Sequence, residues 1–490
     1  MSEKNIKKSV VSGFFWRFAE RCGAQGVGFV VSLILARLLA PELFGVVALI
    51  TVFTSILQVF VDSGLGSALV QKKDADDLDF STVFYFNFTM CTVLYALMFF
   101  FAPFIDKVIY NGKYENLTDY IRVLSLTLII SGVKNIQHAY VSRKMIFKRF
   151  FFATLGGTII AAFVGIYMAF KGYGVWAIIT QNLVNKTIDT CILWITVKWR
   201  PRLMFSFRRL KGLLSYGWKL LCSSLLDTIY NNIRQLLIGR VYTSESLSFY
   251  NRGKQFPEVI IENVVTSIDS VLFPAMSKSQ DNKNNVKLIT RRSITVSSYI
   301  IWPMMMGIAS TSNQLVKLIL GDNWLPCVPF LCIFCINFAF RPLHAANLNA
   351  IKAMGRSDIF LKLEIIKKTA GFILLFLTLY ISVYAMAISL LISNVINQVI
   401  NSWPNRKLLG YTYFEQLKDI LPSIVISFLM AVIVYTIGLI KLPLVVLLII
   451  QIFAGIVFYI GFSYLIKDES FYYVFDMIKK FFNSRFTKNK

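Results

Sequence analysis

Apolar runs of roughly 20 residues recur along the chain, and short charged segments separate them. A helix of about 20 apolar residues crosses the ~30 Å hydrocarbon core of a bilayer. The pattern therefore predicts an all-α, polytopic membrane protein with about fourteen transmembrane helices. The predicted spans are 14–36, 43–63, 81–104, 120–141, 150–170, 174–197, 213–239, 253–276, 293–312, 325–348, 359–380, 383–403, 418–438 and 443–465.

Composition and charge agree with this prediction. Of the 490 residues, 56% are hydrophobic and only 16% are charged, whereas a soluble domain carries about 25% charged residues. The net charge of +25 comes from short basic clusters between the apolar runs, a pattern typical of membrane topology and not of one nucleic-acid-binding patch. Alternate loops, counted from the N-terminus, hold 32 Lys and Arg residues, and the intervening loops hold 9. Because cytoplasmic loops are enriched in Lys and Arg, we expect both termini in the cytoplasm.

A weak internal repeat divides the chain. Trp16-Arg17 in the first predicted helix corresponds to Trp218-Lys219 in the seventh. Six helices separate the copies, so they have the same orientation, and parallel repeats place a transport pathway between two lobes. We expect an N-lobe at 1–197, a cytoplasmic interfacial linker at 198–212, a C-lobe at 213–403, and two extra helices with a basic tail at 404–490. The linker is either a helix lying in the membrane interface or an ordinary basic loop.

Charged residues inside the predicted spans are the candidate functional residues, because each costs ~2.5–3.5 kcal/mol at mid-helix and should face water or a partner. Arg17, Glu20 and Arg21 share a stripe on the first helix, which suits either contact with an anionic substrate or snorkelling at the cytoplasmic end. Asp227 and Arg234 share a face of the seventh helix, either as a cavity wall or as polar contacts between helices.

The second half of the chain carries a similar set. The eighth helix places Arg252, Glu258, Glu262 and Asp269 on one face, and the acidic members predict either proton or sodium coupling or neutralisation of arginines. Arg341 lies on a polar face of the tenth helix. Further polar positions on the fourth, sixth, tenth and twelfth helices are Ser131, Lys134, His138, Gln181, Asn185, Lys186, Asp189, Asn337, His344, Asn394, Asn397 and Asn401. Together these faces predict a large solvated cavity for a bulky polar anion, since a diphosphate needs paired cations.

No enzyme signature stands out. The sequence has no Walker A loop, no HExxH and no GxSxG motif, and its predicted external loops are short. Cys332 and Cys335 form a CxxC in an apolar setting without a second pair, which is typical of buried thiols and not of a metal site. We expect no catalytic residue, no metal and no cofactor beyond a coupling proton or sodium ion.

Two segments carry a family resemblance. These are residues 36–74, ARLLAPELFGVVALITVFTSILQVFVDSGLGSALVQKKD, and residues 248–281, SFYNRGKQFPEVIIENVVTSIDSVLFPAMSKSQD. They resemble the signatures of bacterial polysaccharide-transport flippases of the O-antigen, colanic acid and teichuronic acid type, in the multidrug/oligosaccharidyl-lipid/polysaccharide flippase superfamily. The resemblance implies a V-shaped two-lobe fold with alternating access, a place in the bacterial inner membrane, and an undecaprenyl-diphosphate-linked oligosaccharide as substrate. It also implies that arginines on helices one and eight hold the diphosphate, and Arg17, Arg21 and Arg252 match those positions.

The expected function is therefore a flippase for lipid-linked oligosaccharide in polysaccharide and lipopolysaccharide biosynthesis. Its expected partners are this substrate, membrane lipids, and a polymerase and export machinery, with no nucleic acid. The residues expected to contact the substrate are Arg17, Arg21, Arg234, Arg252 and Arg341. Those expected to serve ion coupling or charge balance are Glu20, Asp227, Glu258, Glu262 and Asp269. The alternatives are a cation-coupled multidrug exporter of the same superfamily, which would prefer an acidic cavity, and a membrane glycosyltransferase or polymerase, which would need a larger external loop.

Overall fold

The computed structural model of the chain describes residues 3–62, 64–72, 74–279 and 282–486. Within these residues the regular structure is helical and includes no strand, which confirms the predicted all-α class. The chain divides into two compact units, Met1–Ser248 and Phe249–Lys490. We describe each unit by itself. The two lobes expected from the repeat, 1–197 and 213–403, are a separate division of the chain, and their boundaries stay predictions.

The first unit is built from eight helices and the first residues of a ninth, counted over the described residues. They are α1 (Glu3–Leu38), α2 (Pro41–Asp62), α3 (Leu65–Gln71), α4 (Asp77–Phe104), α5 (Leu117–Lys144), α6 (Lys148–Phe170), α7 (Val175–Thr196), α8 (Phe207–Val241) and α9 (Ser244–Lys278). A π-helical turn, Ile105–Ile109, extends α4.

The second unit takes the rest of α9 and continues to the C-terminal region. Its further helices are α10 (Lys283–Ser310), α11 (Ser312–Ile319), α12 (Val328–Ala339), α13 (Arg341–Ala353), α14 (Ser357–Thr378), α15 (Val383–Leu409), α16 (Tyr413–Ile437), α17 (Leu444–Leu465) and α18 (Glu469–Phe486). A 3₁₀ turn, Asp322–Cys327, precedes α12.

Each of the fourteen predicted spans coincides with helical structure. Over the described residues, eight helical segments are long and apolar enough to cross a membrane by length and composition. Helices such as α8 and α9 do not meet that criterion, because charged and polar residues follow one another along them at helical spacing. The chain is thus a multi-pass membrane protein, and the total of fourteen crossings stays a prediction.

The tenth predicted span is interrupted. Residues 325–348 fall on α12 and α13, which Phe340 separates. Pro342 lies in the first turn of α13, where a missing backbone N–H breaks no intrahelical bond. The break therefore places Arg341 and His344 in the first turn of a new helix, α13, in the middle of the predicted span.

Of the predicted linker, residues 198–206 form a loop between α7 and α8, and residues 207–212 are the first residues of α8. The position of the linker at the membrane interface stays a prediction. The loop is held against the start of α4 by three hydrogen bonds. Trp199 Nε1 donates to Asp77 Oδ1 at 3.0 Å. The backbone N–H groups of Arg202 and Ser206 donate to the hydroxyls of Ser81 and Thr82, each at 3.1 Å. These contacts order a stretch that carries no regular structure of its own.

The start of α4 is itself stabilised by a reciprocal cap. The Asp79 N–H donates to Asp76 Oδ1 at 3.0 Å, and the Asp76 N–H donates to Asp79 Oδ2 at 3.2 Å. This arrangement satisfies two of the backbone donors that a helix N-terminus leaves open. The Asp79 N–H also stabilises the ionised form of Asp76 and holds the pKa of that carboxyl below its ordinary value.

Candidate functional site

A polar cavity of about 340 Å³ lies inside the second unit, between α9, α13, α14 and α15. Its volume falls in the range of small ligand pockets, ~300–1,000 Å³. Its described lining residues are Val265, Arg341, His344, Ala345, Leu348, Asn349, Lys352, Glu364, Lys367, Asn394, Asn397 and Asn401. We call this cavity the C-unit pocket. A mostly polar lining is unusual among membrane helices, where a polar side chain in hydrocarbon costs free energy.

One part of the C-unit pocket is charged, and two of its three cations form ion pairs. Arg341 Nη2 lies 3.3 Å from Glu262 Oε1, so α13 is linked to α9. Lys367 is buried and its Nζ lies 2.5 Å from Glu364 Oε1, one turn earlier on α14. Lys352 Nζ lies 4.5 Å from the centroid of the Phe360 ring. The described lining therefore has three cations and one carboxylate, and it is net positive.

The other part of the C-unit pocket is a chain of neutral hydrogen-bonding groups. Asn394 Nδ2 donates to the Asn337 carbonyl at 2.7 Å, so the Asn394 Oδ1 atom is left to accept. His344 Nε2 contacts that Oδ1. Asn401 Nδ2 donates to His344 Nδ1 at 3.0 Å. This pattern assigns the neutral tautomer of His344 with its proton on Nε2, because Nδ1 must accept.

Two acceptor atoms at this polar chain have no hydrogen-bond partner within the described protein. They are Asn397 Oδ1 and Asn401 Oδ1, and both are buried. Buried polar atoms are nearly always paired, so unpaired ones next to a cavity indicate a place for a hydrogen-bond donor.

The local sequence explains why these side chains meet. Asn394, Asn397 and Asn401 recur at three- and four-residue steps and therefore lie on one face of α15. Arg341 and His344 are three residues apart and share a face of α13. The two faces predicted from spacing thus line one pocket in the structure.

The first unit holds a separate polar cluster among α1, α5, α6 and α7. Lys134 on α5 forms an ion pair with the buried carboxylate of Asp189 on α7. Asn185 Nδ2 donates to Thr158 Oγ1 at 3.3 Å. On the α1 side of α6, Thr154 Oγ1 donates to Glu20 Oε1 at 3.2 Å. These contacts tie four helices together through polar groups, as is common in membrane proteins.

The remaining predicted site residues have varied surroundings. Arg234 is buried within the first unit, and Asp227 is exposed.

In the second unit, Arg252 is also buried. Its Nη1 donates to Gln255 Oε1 at 2.8 Å, and its guanidinium lies 5.0 Å from the Trp324 ring centroid. Glu258 pairs with the lysine one turn before it, at 3.1 Å. The side chains of Arg17, Arg21 and Asp269 lie outside the described part of the chain. The roles expected for all of these residues stay predictions.

Sequence reasoning missed three charged lining residues, Lys352, Glu364 and Lys367. The last two lie in a charged stretch at the start of the span 359–380 and were not singled out. Their three-residue spacing, Glu before Lys, was the available signal, since such pairs are neighbours on a helix. The structure adds that this helix face lines a cavity.

Comparison with known proteins places the chain in a family. A family model described as "Polysaccharide biosynthesis protein" matches residues 34–329, more than half of the chain. The chain belongs to the polysaccharide biosynthesis protein family. This membership confirms the resemblance drawn from residues 36–74 and 248–281.

Two relatives in this family are similar over much of their length. The teichuronic acid biosynthesis protein TuaB of Bacillus subtilis (strain 168) is 26% identical over 317 residues, which are 62% of this chain and 63% of TuaB. The succinoglycan biosynthesis transport protein ExoT of Rhizobium meliloti (strain 1021) is 21% identical over 363 residues, which are 74% of this chain and 73% of ExoT. The chain thus spans just under two thirds of TuaB.

A solved structure shares the fold. The lipid II flippase MurJ, in its inward closed conformation, matches with a TM-score of 0.75 and 15% sequence identity, over 92% of this chain and 98% of MurJ. This likeness shows that the polysaccharide family member has the fold of a membrane transporter.

Proposed function

We propose that this chain is a flippase that moves undecaprenyl-diphosphate-linked oligosaccharide from the cytoplasmic to the outer leaflet by alternating access. The observation that carries the proposal is the C-unit pocket, a net positive, hydrogen-bonding cavity among membrane helices in a member of the polysaccharide biosynthesis protein family. A transporter of this kind needs polar surface inside the membrane and no covalent chemistry. ExoT is named as a transport protein and MurJ as a lipid II flippase, and both names support the same function.

An apolar groove in the second unit supports a lipid-linked substrate. It has a volume of about 480 Å³ and lies among α9, α10, α16 and α17. Its lining includes Pro303, Met304, Met430, Leu448 and Ile456. Branched and flexible apolar side chains suit a polyprenyl tail, which needs no hydrogen bonds.

The proposal includes the arrangement in the membrane and the partners. We place the chain in the bacterial inner membrane with both termini in the cytoplasm, and we place the two transport lobes at 1–197 and 213–403. The substrate arginines are Arg17, Arg21, Arg234, Arg252 and Arg341. The acidic groups for ion coupling or charge balance are Glu20, Asp227, Glu258, Glu262 and Asp269. A polymerase and export machinery would take the product on the outer side.

Deletion followed by lipid analysis tests the function. Without the protein, undecaprenyl-linked oligosaccharide should accumulate on the cytoplasmic leaflet and polymer output should stop. Complementation with the wild-type chain should restore output. Normal translocation in the deletion strain would reject the proposal.

Two substitutions test the predicted anion contacts. Arg17→Ala combined with Arg234→Ala should lower export by about 10- to 100-fold, since a hydrogen bond to a charged group contributes ~1.5–3 kcal/mol. The protein should remain in the membrane at normal abundance. Arg122→Ala is the matched control, because this arginine is partly exposed and contacts Asp119 and the Phe99 ring. Full export by the double variant would refute the assignment of these two residues.

A multidrug exporter is the second candidate from this fold. Such a protein binds cations and therefore needs an acidic site, whereas the described lining of the C-unit pocket has three cations and one carboxylate. The charge of the pocket favours the flippase.

A further inference from the structure

The C-unit pocket is chemically asymmetric, and the asymmetry distinguishes two parts of the proposed substrate. The substrate has a diphosphate, whose oxygens only accept hydrogen bonds at neutral pH, and a glycan, whose hydroxyls both donate and accept. The two parts therefore need different protein groups. The pocket offers paired cations on α13 and α14, and amide and imidazole groups along α15 and α13.

We infer that the neutral part of the C-unit pocket, formed by His344, Asn394, Asn397 and Asn401, binds sugar hydroxyls of the oligosaccharide and not its diphosphate. This inference rests on the proposed function and deepens it. It assigns Asn397 and Asn401 as specificity-determining residues.

The first argument for this inference comes from two buried acceptor atoms without a hydrogen-bond partner. Asn397 Oδ1 and Asn401 Oδ1 are carbonyl oxygens, so they can only accept. A phosphate oxygen placed beside them would set acceptor against acceptor. A hydroxyl placed there would donate and satisfy an atom that is otherwise buried without a partner. The terminal amide torsion of asparagine is broad, so a small rotation presents the oxygen to a ligand.

The second argument comes from the hydrogen bonds that link Asn401, His344 and Asn394. Asn401 uses its Nδ2 to donate to His344 Nδ1, and this bond fixes which end of the Asn401 amide remains open. His344 in turn contacts Asn394, whose Nδ2 is committed to the Asn337 carbonyl. The direction of every bond in the chain therefore leaves an acceptor, and not a donor, at the Asn401 end.

The charged part of the pocket carries the third step. Lys367 is buried and is paired with Glu364 at 2.5 Å. A diphosphate approaching Lys367 would meet this carboxylate, which has the same sign of charge. A hydroxyl carries no charge and can donate to the Glu364 carboxylate, so this pair also favours a glycan.

Binding of two defined lipids to the purified full-length chain tests the inference. The probes are undecaprenyl diphosphate and undecaprenyl-diphosphate-N-acetylglucosamine, and native mass spectrometry in detergent measures the dissociation constant of each. The wild-type chain should bind the glycosylated lipid about tenfold more tightly or better, since each of the two hydrogen bonds contributes about 2- to 12-fold. Asn397→Leu and Asn401→Leu should each weaken binding of the glycosylated lipid by about tenfold and leave binding of the bare diphosphate unchanged.

Gln398→Leu is the matched control. Gln398 is an amide on α15 that is as buried as Asn401, but it does not line the pocket and instead accepts a hydrogen bond from the hydroxyl of Tyr413. This variant should bind both lipids as the wild type does, and it reports any general loss of folding on the same helix.

The outcomes separate the inference from the proposed function. Equal weakening of both lipids by the asparagine variants would assign the pocket to the diphosphate and overturn the inference. Unchanged binding of both lipids by these variants, or equal wild-type affinity for the two lipids, would also overturn it. Failure of the wild-type chain to bind either lipid would overturn the proposed function as well.

Discussion

A single buried carboxylate, Asp79, links three helices of the first unit. Its two oxygens lie 2.7 and 2.6 Å from Lys72 Nζ, one residue beyond the end of α3. Asp79 Oδ2 also lies 3.5 Å from Arg209 Nη1 near the start of α8. The carboxylate is fully buried, whereas the side chains of Lys72 and Arg209 are 29% and 40% exposed. We predict that removing this carboxylate destabilises the packing of α3 and α8 on α4.

The exposure of the partners sets the size of the effect. Removing one member of a fully buried ion pair costs ~3–5 kcal/mol, because the other charge stays buried. Here both cations can turn toward water, so the penalty is smaller. A charge-assisted hydrogen bond contributes ~1.5–3 kcal/mol, and the reciprocal cap adds about 0.5 kcal/mol. We expect Asp79→Ala to cost about 2–3 kcal/mol, which for a unit of this size lowers the melting temperature by roughly 5–10 °C.

Thermal unfolding of the detergent-solubilised chain, followed by size-exclusion chromatography, measures this shift. Asp119→Asn is the control, because Asp119 is 61% exposed and pairs with Arg122 at 3.7 Å, and such a surface pair contributes ~0–1 kcal/mol. In a double-mutant cycle, Lys72→Ala should cost much less in the Asp79→Ala background than alone. A melting temperature for Asp79→Ala as high as that of the Asp119→Asn control would refute the reasoning.

Backbone packing, topology and pocket charge each give a further prediction. Gly45→Ala should sharply reduce the amount of folded protein in a membrane-fraction immunoblot, because a Cβ there would lie 1.8 Å from the backbone oxygen of Ser244. Gly26→Ala is the control and should leave this amount unchanged, because a Cβ there would have no neighbouring atom within 4 Å. A reporter enzyme that is active only outside the cytoplasm should be active when it is inserted after Lys441. A reporter that is active only in the cytoplasm should be active when it is fused to the C-terminus. The reverse pattern would overturn the proposed topology. Lys367→Met should reduce polymer output by about tenfold because it leaves Glu364 unpaired in the pocket, and adding Glu364→Gln should restore protein abundance if the single variant is unstable.

The helices could be predicted from the sequence because the bilayer demands long apolar runs, and those runs leave a clear signal. The polar faces of α13 and α15 could be predicted for a similar reason, since three- and four-residue spacing fixes which side chains share a helix face. The spacing of Asn394, Asn397 and Asn401 therefore predicts one wall of the C-unit pocket.

What the sequence could not supply is the partner across a helix interface. Asp79 falls in a segment read as a cytoplasmic loop, and nothing local indicates that Arg209, 130 positions later, lies beside it. In the same way, the contact between Arg341 and Glu262 joins helices that are distant in sequence. The periodicity of a sequence shows which side chains share a helix face, but which charged residues pair across a helix interface depends on how the helices pack.

The pairing of charges has a consequence for transport. A cation left alone in the membrane would be expensive, and it would also bind an anionic substrate too tightly to release it. In the second unit, Arg341 is held by Glu262 and Lys367 by Glu364, and in the first unit Lys134 is held by Asp189. A substrate that reaches any of these cations must compete with a carboxylate already in place, so only the difference between the two interactions contributes to its affinity. Weak, exchangeable binding of this kind suits a protein that must take up its cargo on one side of the membrane and let it go on the other. We therefore expect the acidic residues to be as necessary to the proposed flippase as the arginines, even though the proposed cargo is an anion.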